Sequence, residues 1–130
     1  MKKFFKDNAD GFYVVFRILI GLLFLVHGLA KFGIVGGKPF LSPAEFMVAA
    51  ILEVIVGVLV IVGLFTRLAA LVGGIEMIVA FVWKHLPNGI NPLANGGEAA
   101  LLYLAAFLIL MAYGPGKWSL GTAMFKKEVW

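Results

Sequence analysis

No cysteine occurs anywhere in the 130 residues. That absence excludes a disulfide scaffold, a thiolate metal site and a cysteine redox relay. It leaves the compartment open, because a chain without thiols can live on either side of a membrane. Charge is scarce too. Lys, Arg, Asp and Glu make up 14% of the chain, against about 25% in an average soluble domain. There is no phosphate loop, no nucleophile elbow and no H-E-x-x-H motif. Carboxylate-bridged di-iron bundles need a Glu-x-x-His pair on two helices, and that spacing is missing as well. No spacing demands a mononuclear site from His27, a glutamate and His85, so no metal is expected. The net charge of +4 comes mostly from the termini. It forms no basic water-facing surface, so nucleic acid is not an expected partner.

Apolar side chains fill the space that charge leaves. Hydrophobic residues make up 62% of the sequence, against about 45–50% in soluble proteins. A chain this small cannot hide that much apolar surface in a water-facing core. Its solvent must be the lipid bilayer, and a single domain over residues 1–130 is the expectation. Four apolar segments stand out, at about 12–32, 44–66, 67–86 and 97–113. A spanning helix needs about 20 apolar residues, with a range of about 17 to 25. Gly36-Gly37-Lys38-Pro39, Pro87-Asn88-Gly89, Asn91-Pro92 and Gly114-Pro115-Gly116 punctuate the runs. Only GLFTR at 63–67 joins the second span to the third, which predicts a tight antiparallel hairpin. The expected fold is all-α: an integral membrane four-helix bundle, multi-pass in the cell membrane.

Basic residues set the expected orientation. Lys2, Lys3, Lys6, Arg17, Arg67, Lys117, Lys126 and Lys127 fall on one side, and Lys31, Lys38 and Lys84 on the other. Eight against three places both termini and the 63–67 turn in the cytoplasm. Residues 1–30 start like a signal peptide, but the apolar run is too long and no small-x-small cleavage site follows. They read as an uncleaved first span. Ser42-Pro43-Ala44-Glu45 and Asn95-Gly96-Gly97-Glu98 share capping-box spacing. They predict two helix starts at the outer face and two helical hairpins of like orientation.

The charges inside the spans carry the chemistry. Glu53 and Glu76 lie eleven or twelve residues either side of the cytoplasmic turn. That is about 17 Å, near the middle of a hydrocarbon core of about 30 Å. His27, in FLVHGLAKFG at 24–33, sits about 20 Å up in the outer half. Lys31 lies one turn further out, where it either snorkels to the headgroups or pairs with an acid. A charge at the helix centre costs about 2.5–3.5 kcal/mol. The two glutamates and the histidine are therefore expected to face one another, with one carboxyl protonated, because two close carboxylates cannot both ionise cheaply.

Plainer roles exist for most of these residues. Capping explains Glu45 and Glu98, and helix-end anchoring explains Lys31, Lys84 and Arg17. Arg67 can hold the carbonyls of the turn, and His27 can glue helices. Gly21 and Gly28, and the Ala69, Gly73, Glu76, Ala80 stripe, read as helix contacts. Glu53 and Glu76 resist such a reading, since a tight hairpin already fastens their helices.

The order of these features resembles one family. R-x9-H-G-x2-K at 17–31, Glu53, G-L-F-T-R at 63–67, His85, N-G-G-E at 95–98 and G-P-G-K-W-S-L at 114–120 look like the DoxX family of small bacterial and archaeal membrane proteins. The family pattern often ends Ser-Leu-Asp, whereas this chain has Gly121 and lacks that acid. The resemblance implies a four-helix membrane bundle. It also implies kinship with the quinone-facing subunits of thiosulfate–quinone oxidoreductases and with membrane parts of oxidative-stress systems. The matching positions are Arg17, His27, Lys31, Glu53, Arg67, His85 and Glu98, to which the depth argument adds Glu76 and Tyr103.

The expected function is a membrane subunit of a quinone-linked redox system. His27, Glu53 and Glu76 are the catalytic candidates. His27, Glu53, Tyr103, Glu98, Lys31 and His85 are the quinone-binding candidates. With no cysteine, haem-type pair or flavin motif, electrons would come from a soluble or membrane redox partner. The alternatives are an oligomeric carrier or channel for protons or a small solute, and a membrane scaffold for soluble redox proteins. Glu53→Gln is expected to fold and insert normally while losing proton-coupled activity.

Overall fold

A computed structural model describes residues 1–36 and 38–127. Gly37, one of the expected chain breakers, lies outside them. The fold is all-helical, with no strand among the described residues. A short α1 (Lys2–Asp7) leads through Asn8 into α2 (Ala9–Lys31). Then come α3 (Ala44–Val62) and α4 (Thr66–Ala80). The last of these continues through a π-helical turn, Phe81–His85, and a 3-10 turn, Leu86–Asn88. Three further helices follow: α5 (Pro92–Asn95), α6 (Glu98–Tyr113) and α7 (Leu120–Phe125).

Three of these helices are long and apolar enough to cross a membrane: Ala9–Lys31, Ala44–Val62 and the extended Thr66–Asn88. The apolar α6 has 16 residues, about 24 Å of helix. Gly63 ends α3 in a left-handed conformation, φ 71°. The Leu64 N–H then donates back to the Leu59 carbonyl at 3.0 Å, which satisfies the exposed helix end.

Close packing follows the small residues. Gly21 and Gly28 of α2 lie on α3, and Gly57 of α3 lies on α2. A Cβ on Gly57 would come within 2.7 Å of the Leu25 nitrogen. In the second pair, Gly73 of α4 lies under the Phe107 ring of α6. The core joins both pairs through Phe24, Val56, Val60, Met77, Phe107 and Leu110. Consequently α2 packs chiefly on α3 and α4 on α6, while α3 and α4 share a narrower contact. The hairpin expected between α3 and α4 is thus not the main pairing, because the glycine that permits close approach on α3 faces α2.

Backbone carbonyls organise the end where both termini lie. Arg17 is only 2% exposed. Its guanidinium donates to the carbonyls of Pro115, of Trp118 at 2.9 Å and of Ile61 at 3.3 Å. The Tyr13 hydroxyl donates to the Gly114 carbonyl at 2.5 Å. Arg67 donates to the carbonyls of Met111 and of Ala112, the latter at 2.9 Å. It therefore holds the end of α6, a role its place in the 63–67 turn had not implied.

The two expected capping boxes do not form. Pro43 occupies the N-cap of α3 and has no side-chain acceptor to offer. Gly97 occupies that of α6. The Asn95 side chain instead accepts from the Gly97 N–H at 2.7 Å and donates to the Gly89 carbonyl at 2.7 Å. It folds the 89–97 loop and does not start a helix.

Candidate functional site: a polar cavity between four helices

Helical spacing lines up the polar residues. Phe24, His27 and Lys31 fall on one stripe of α2; Glu45, Ala49 and Glu53 fall on one stripe of α3. On α4 the stripe is Glu76, Ala80 and Trp83, and α6 contributes Ala99, Ala100 and Tyr103. These stripes enclose a cavity of about 640 Å³. That lies within the range of about 300–1,000 Å³ typical of small-molecule pockets.

Inside it, the two glutamates differ in their partners. Glu53 is buried, and its Oε2 takes the Lys31 ammonium at 2.6 Å. Lys31 thus crosses from α2 to α3, choosing an acid over the headgroups. Both carboxyl oxygens of Glu76 are buried and have no hydrogen-bond partner among the described residues. An unsatisfied buried polar group costs about 1–3 kcal/mol.

His27 and Tyr103 form the adjoining wall. The Tyr103 hydroxyl lies 3.2 Å from His27 Nδ1, and the rings meet edge to face with centroids 5.4 Å apart. The same Nδ1 lies 3.1 Å from the Leu23 carbonyl. When protonated, it donates to Leu23; when bare, it accepts from Tyr103. Either state leaves Nε2 for another partner. Phe24 lines the cavity beside this pair, backed by Phe107, whose ring it meets edge to face at 4.9 Å.

The outer rim comes from the irregular end of α4. The π-helical turn Phe81–His85 brings His85 and Lys84 round to the cavity. Such turns recur at functional sites. His85 Nδ1 lies 3.1 Å from the Asn95 carbonyl. Lys84 lies over the rings of Phe46 and Phe40, 5.1 and 5.9 Å from their centroids.

Among the residues expected at the site, His27, Lys31, Glu53, Glu76, Tyr103 and His85 all line this cavity. Glu98 does not: it is exposed on the first turn of α6, outside the lining. Arg17 and Arg67 sit among carbonyls at the opposite end. Sequence reading missed the apolar wall of Phe46, Ala49 and Met77, and gave Lys84 and Trp83 only boundary roles. The spacing of Trp83 and Lys84 from Glu76 would have placed them on the same face. Among the described residues, no group of three or more His, Asp or Glu is placed to hold a metal ion.

The DoxX family model matches residues 12–86, the stretch that carries His27, Lys31, Glu53, Glu76 and His85. The chain belongs to the DoxX family. Its relatives are similar over most of their length. An uncharacterised protein of Haemophilus influenzae is 37% identical over 124 residues, 89% of this chain and 92% of the relative. An uncharacterised membrane protein of Mycobacterium tuberculosis is 30% identical over 133 residues, covering 88% and 82%. A Bacillus subtilis protein named "Putative oxidoreductase CatD" is 32% identical over 119 residues, covering 87% of each. No solved structure gives a significant match. Family and apolar helices together make this DoxX protein a multi-pass membrane protein in contact with lipid.

Proposed function

We propose that this DoxX protein is a small membrane subunit of a quinone-linked redox system. In this reading its single domain is a four-helix bundle with both termini cytoplasmic. The Glu76 carboxyl, buried with no partner among the described residues on the wall of a 640 Å³ cavity, carries the proposal. The cavity suits a flat ring with polar edges. Its floor and walls are apolar, while His27, Tyr103 and Glu76 present hydrogen-bonding atoms toward its interior. Glu76 and His27 Nε2 are the groups left to hold such a ligand, and Lys31–Glu53 supplies a fixed dipole beside them.

A bound quinone supplies two-electron chemistry coupled to proton uptake at its two carbonyl oxygens. The protein's own part is to orient the ring, exclude water and deliver protons. Glu76, when protonated, donates a hydrogen bond from a carboxyl oxygen, and His27 donates one from Nε2 while its Nδ1 accepts from the Tyr103 hydroxyl. The sequence offers no thiol and no flavin or haem motif, so a partner protein supplies the electrons. The name of the Bacillus subtilis relative is in keeping with a redox role.

The test is ligand retention. Protein purified in mild detergent should yield quinone in its organic extract. A short-chain quinone should quench Trp83, which lines the cavity, in a saturable way. Neither signal should survive in Glu76→Leu. An extract free of quinone together with linear, unsaturable quenching overturns the reading. A second reading uses the same acids as a proton or solute path, which intramembrane carboxyls also mark. It requires an oligomer, and it gains if proteoliposomes show flux without quinone binding.

A further inference from the structure

The opposite end of the molecule holds a second cavity, of about 530 Å³. It lies between the start of α2, the end of α6 and the C-terminal segment. Ala9, Asp10 and Tyr13 form one wall; Ile109 and Tyr113 form another; Lys117 and Thr122 close it. Its two sides differ in chemistry. Ile109 and Tyr113, 45% and 69% exposed, face outward from an apolar helix. Lys117 bridges to Asp10 at 2.6 Å, with both side chains largely exposed.

Lys117 lines this groove, and further lysines lie on the adjoining segments of the chain. The helical bond pattern runs almost unbroken through Asn8, which donates to the Phe4 carbonyl and accepts from Phe12. Lys2, Lys6 and Asp10 therefore follow one another at intervals of one turn along the same wall. Lys126 donates its N–H to the Thr122 carbonyl at 3.0 Å, one turn from the groove's edge. The exposed Phe4, Phe5, Trp118 and Met124 are interleaved with these cations. Among the described residues, this end sets Lys2, Lys3, Lys6, Lys117, Lys126 and Lys127 against only Asp7 and Asp10. Arg17 and Arg67 do not add to the patch, because backbone carbonyls hold them.

We infer that this groove binds an anionic phospholipid. An acyl chain lies along Ile109 and Tyr113, and the headgroup phosphate takes Lys117 in exchange for Asp10, with Lys6 and Lys126 beside it. Charge complementarity names the occupant. Lysines at the end of a lipid-embedded helix attract anionic lipids, and the interleaved aromatics belong at the headgroup level. An acidic soluble protein would match the lysines but not the lipid-facing wall. The inference uses none of the residues of the polar cavity and stands apart from the quinone reading.

The experiment uses the full chain in mild detergent, with phosphatidylglycerol and phosphatidylcholine of identical acyl chains as probes. Native mass spectrometry should show one phosphatidylglycerol retained about tenfold more than phosphatidylcholine. Paired Lys6→Gln and Lys117→Gln substitutions should abolish that preference. An exposed ion pair contributes little to stability, so the variant should keep its lipid-free melting temperature, which checks folding. Equal retention of the two lipids overturns the inference, as does an undiminished preference in a folded variant. Competition by inorganic phosphate as effective as by the lipid would also overturn it, since that marks a soluble anion site. A variant that fails to fold is replaced by Lys126→Gln with Tyr113→Ala, judged by the same ratio.

Discussion

Glu53 and Glu76 are the same residue type on the wall of one cavity, yet their surroundings differ. Glu53 is buried against the Lys31 ammonium at 2.6 Å. The sequence alone made Glu53→Gln structurally silent; the ion pair changes that expectation. Glu53→Gln should lower thermal stability, and adding Lys31→Gln should recover part of the loss. A double-mutant cycle in detergent should give a coupling of about 0.5–3 kcal/mol. Strict additivity would remove the pair from the account. Glu76 is the contrary case. Its oxygens lack partners among the described residues, so Glu76→Leu removes an unsatisfied group and should leave the melting temperature equal or higher. Turnover with the quinone and the native partner should be lost on the same preparation. A clear drop in stability would show that Glu76 is held by bonds, and its role as the free site group would go. The grouping of these acids was legible because depth follows from residue counts. The choice of Lys31 by Glu53 was not, because partner choice depends on how each helix is rotated about its axis.

Among the helices, glycine positions decide which pairs form. A Cβ on Gly57 would meet backbone atoms of α2 at 2.7 and 2.8 Å, and backbone cannot step aside. Gly57→Ala should therefore destabilise by about 1–3 kcal/mol, as overpacked cores do. Gly74→Ala is the control: its nearest neighbour would be the Leu104 Cδ1 at 3.7 Å, an ordinary contact. There the gain in helix propensity, about 0.5–1 kcal/mol, should show as a neutral or raised melting temperature. Equal effects at the two sites would mean that helix propensity, and not interhelical spacing, governs this pairing. The faces of Gly21, Gly28 and Gly73 were visible in the sequence. Gly57 was passed over, and with it the dominance of the α2–α3 pair, because a short connection drew attention to α3–α4. Three long apolar helices and a shorter fourth were legible from apolar length and Gly/Pro breaks. The caps were not, since Asn95 has two uses for its side chain, and loop closure took it.

The whole molecule has two unlike ends, and that asymmetry is what membrane insertion reads. Counting basic residues gave eight against three. The structure shows that these charges are not equivalent. Arg17 and Arg67 are engaged by carbonyls of the C-terminal segment and of α6, and on the other side Lys31 is neutralised by Glu53. Removing those three leaves Lys2, Lys3, Lys6, Lys117, Lys126 and Lys127 against Lys38 and Lys84. The bias keeps its direction and rests almost wholly on the terminal lysines. Basic residues near span ends control orientation, while acids contribute little. Reporter fusions at Lys38 and Asn91 should therefore read as external, and a fusion after the last residue as internal. Replacing Lys2, Lys3 and Lys6 with Gln should produce a mixed population, because three of the six orienting charges are gone. Replacing Arg17 should lower stability without altering the reporter pattern, since its work is holding the Pro115 and Trp118 carbonyls. An external C-terminal reporter on the parent chain would invert the topology. The lysine-rimmed groove would then lie in the outer leaflet and the polar cavity in the inner one.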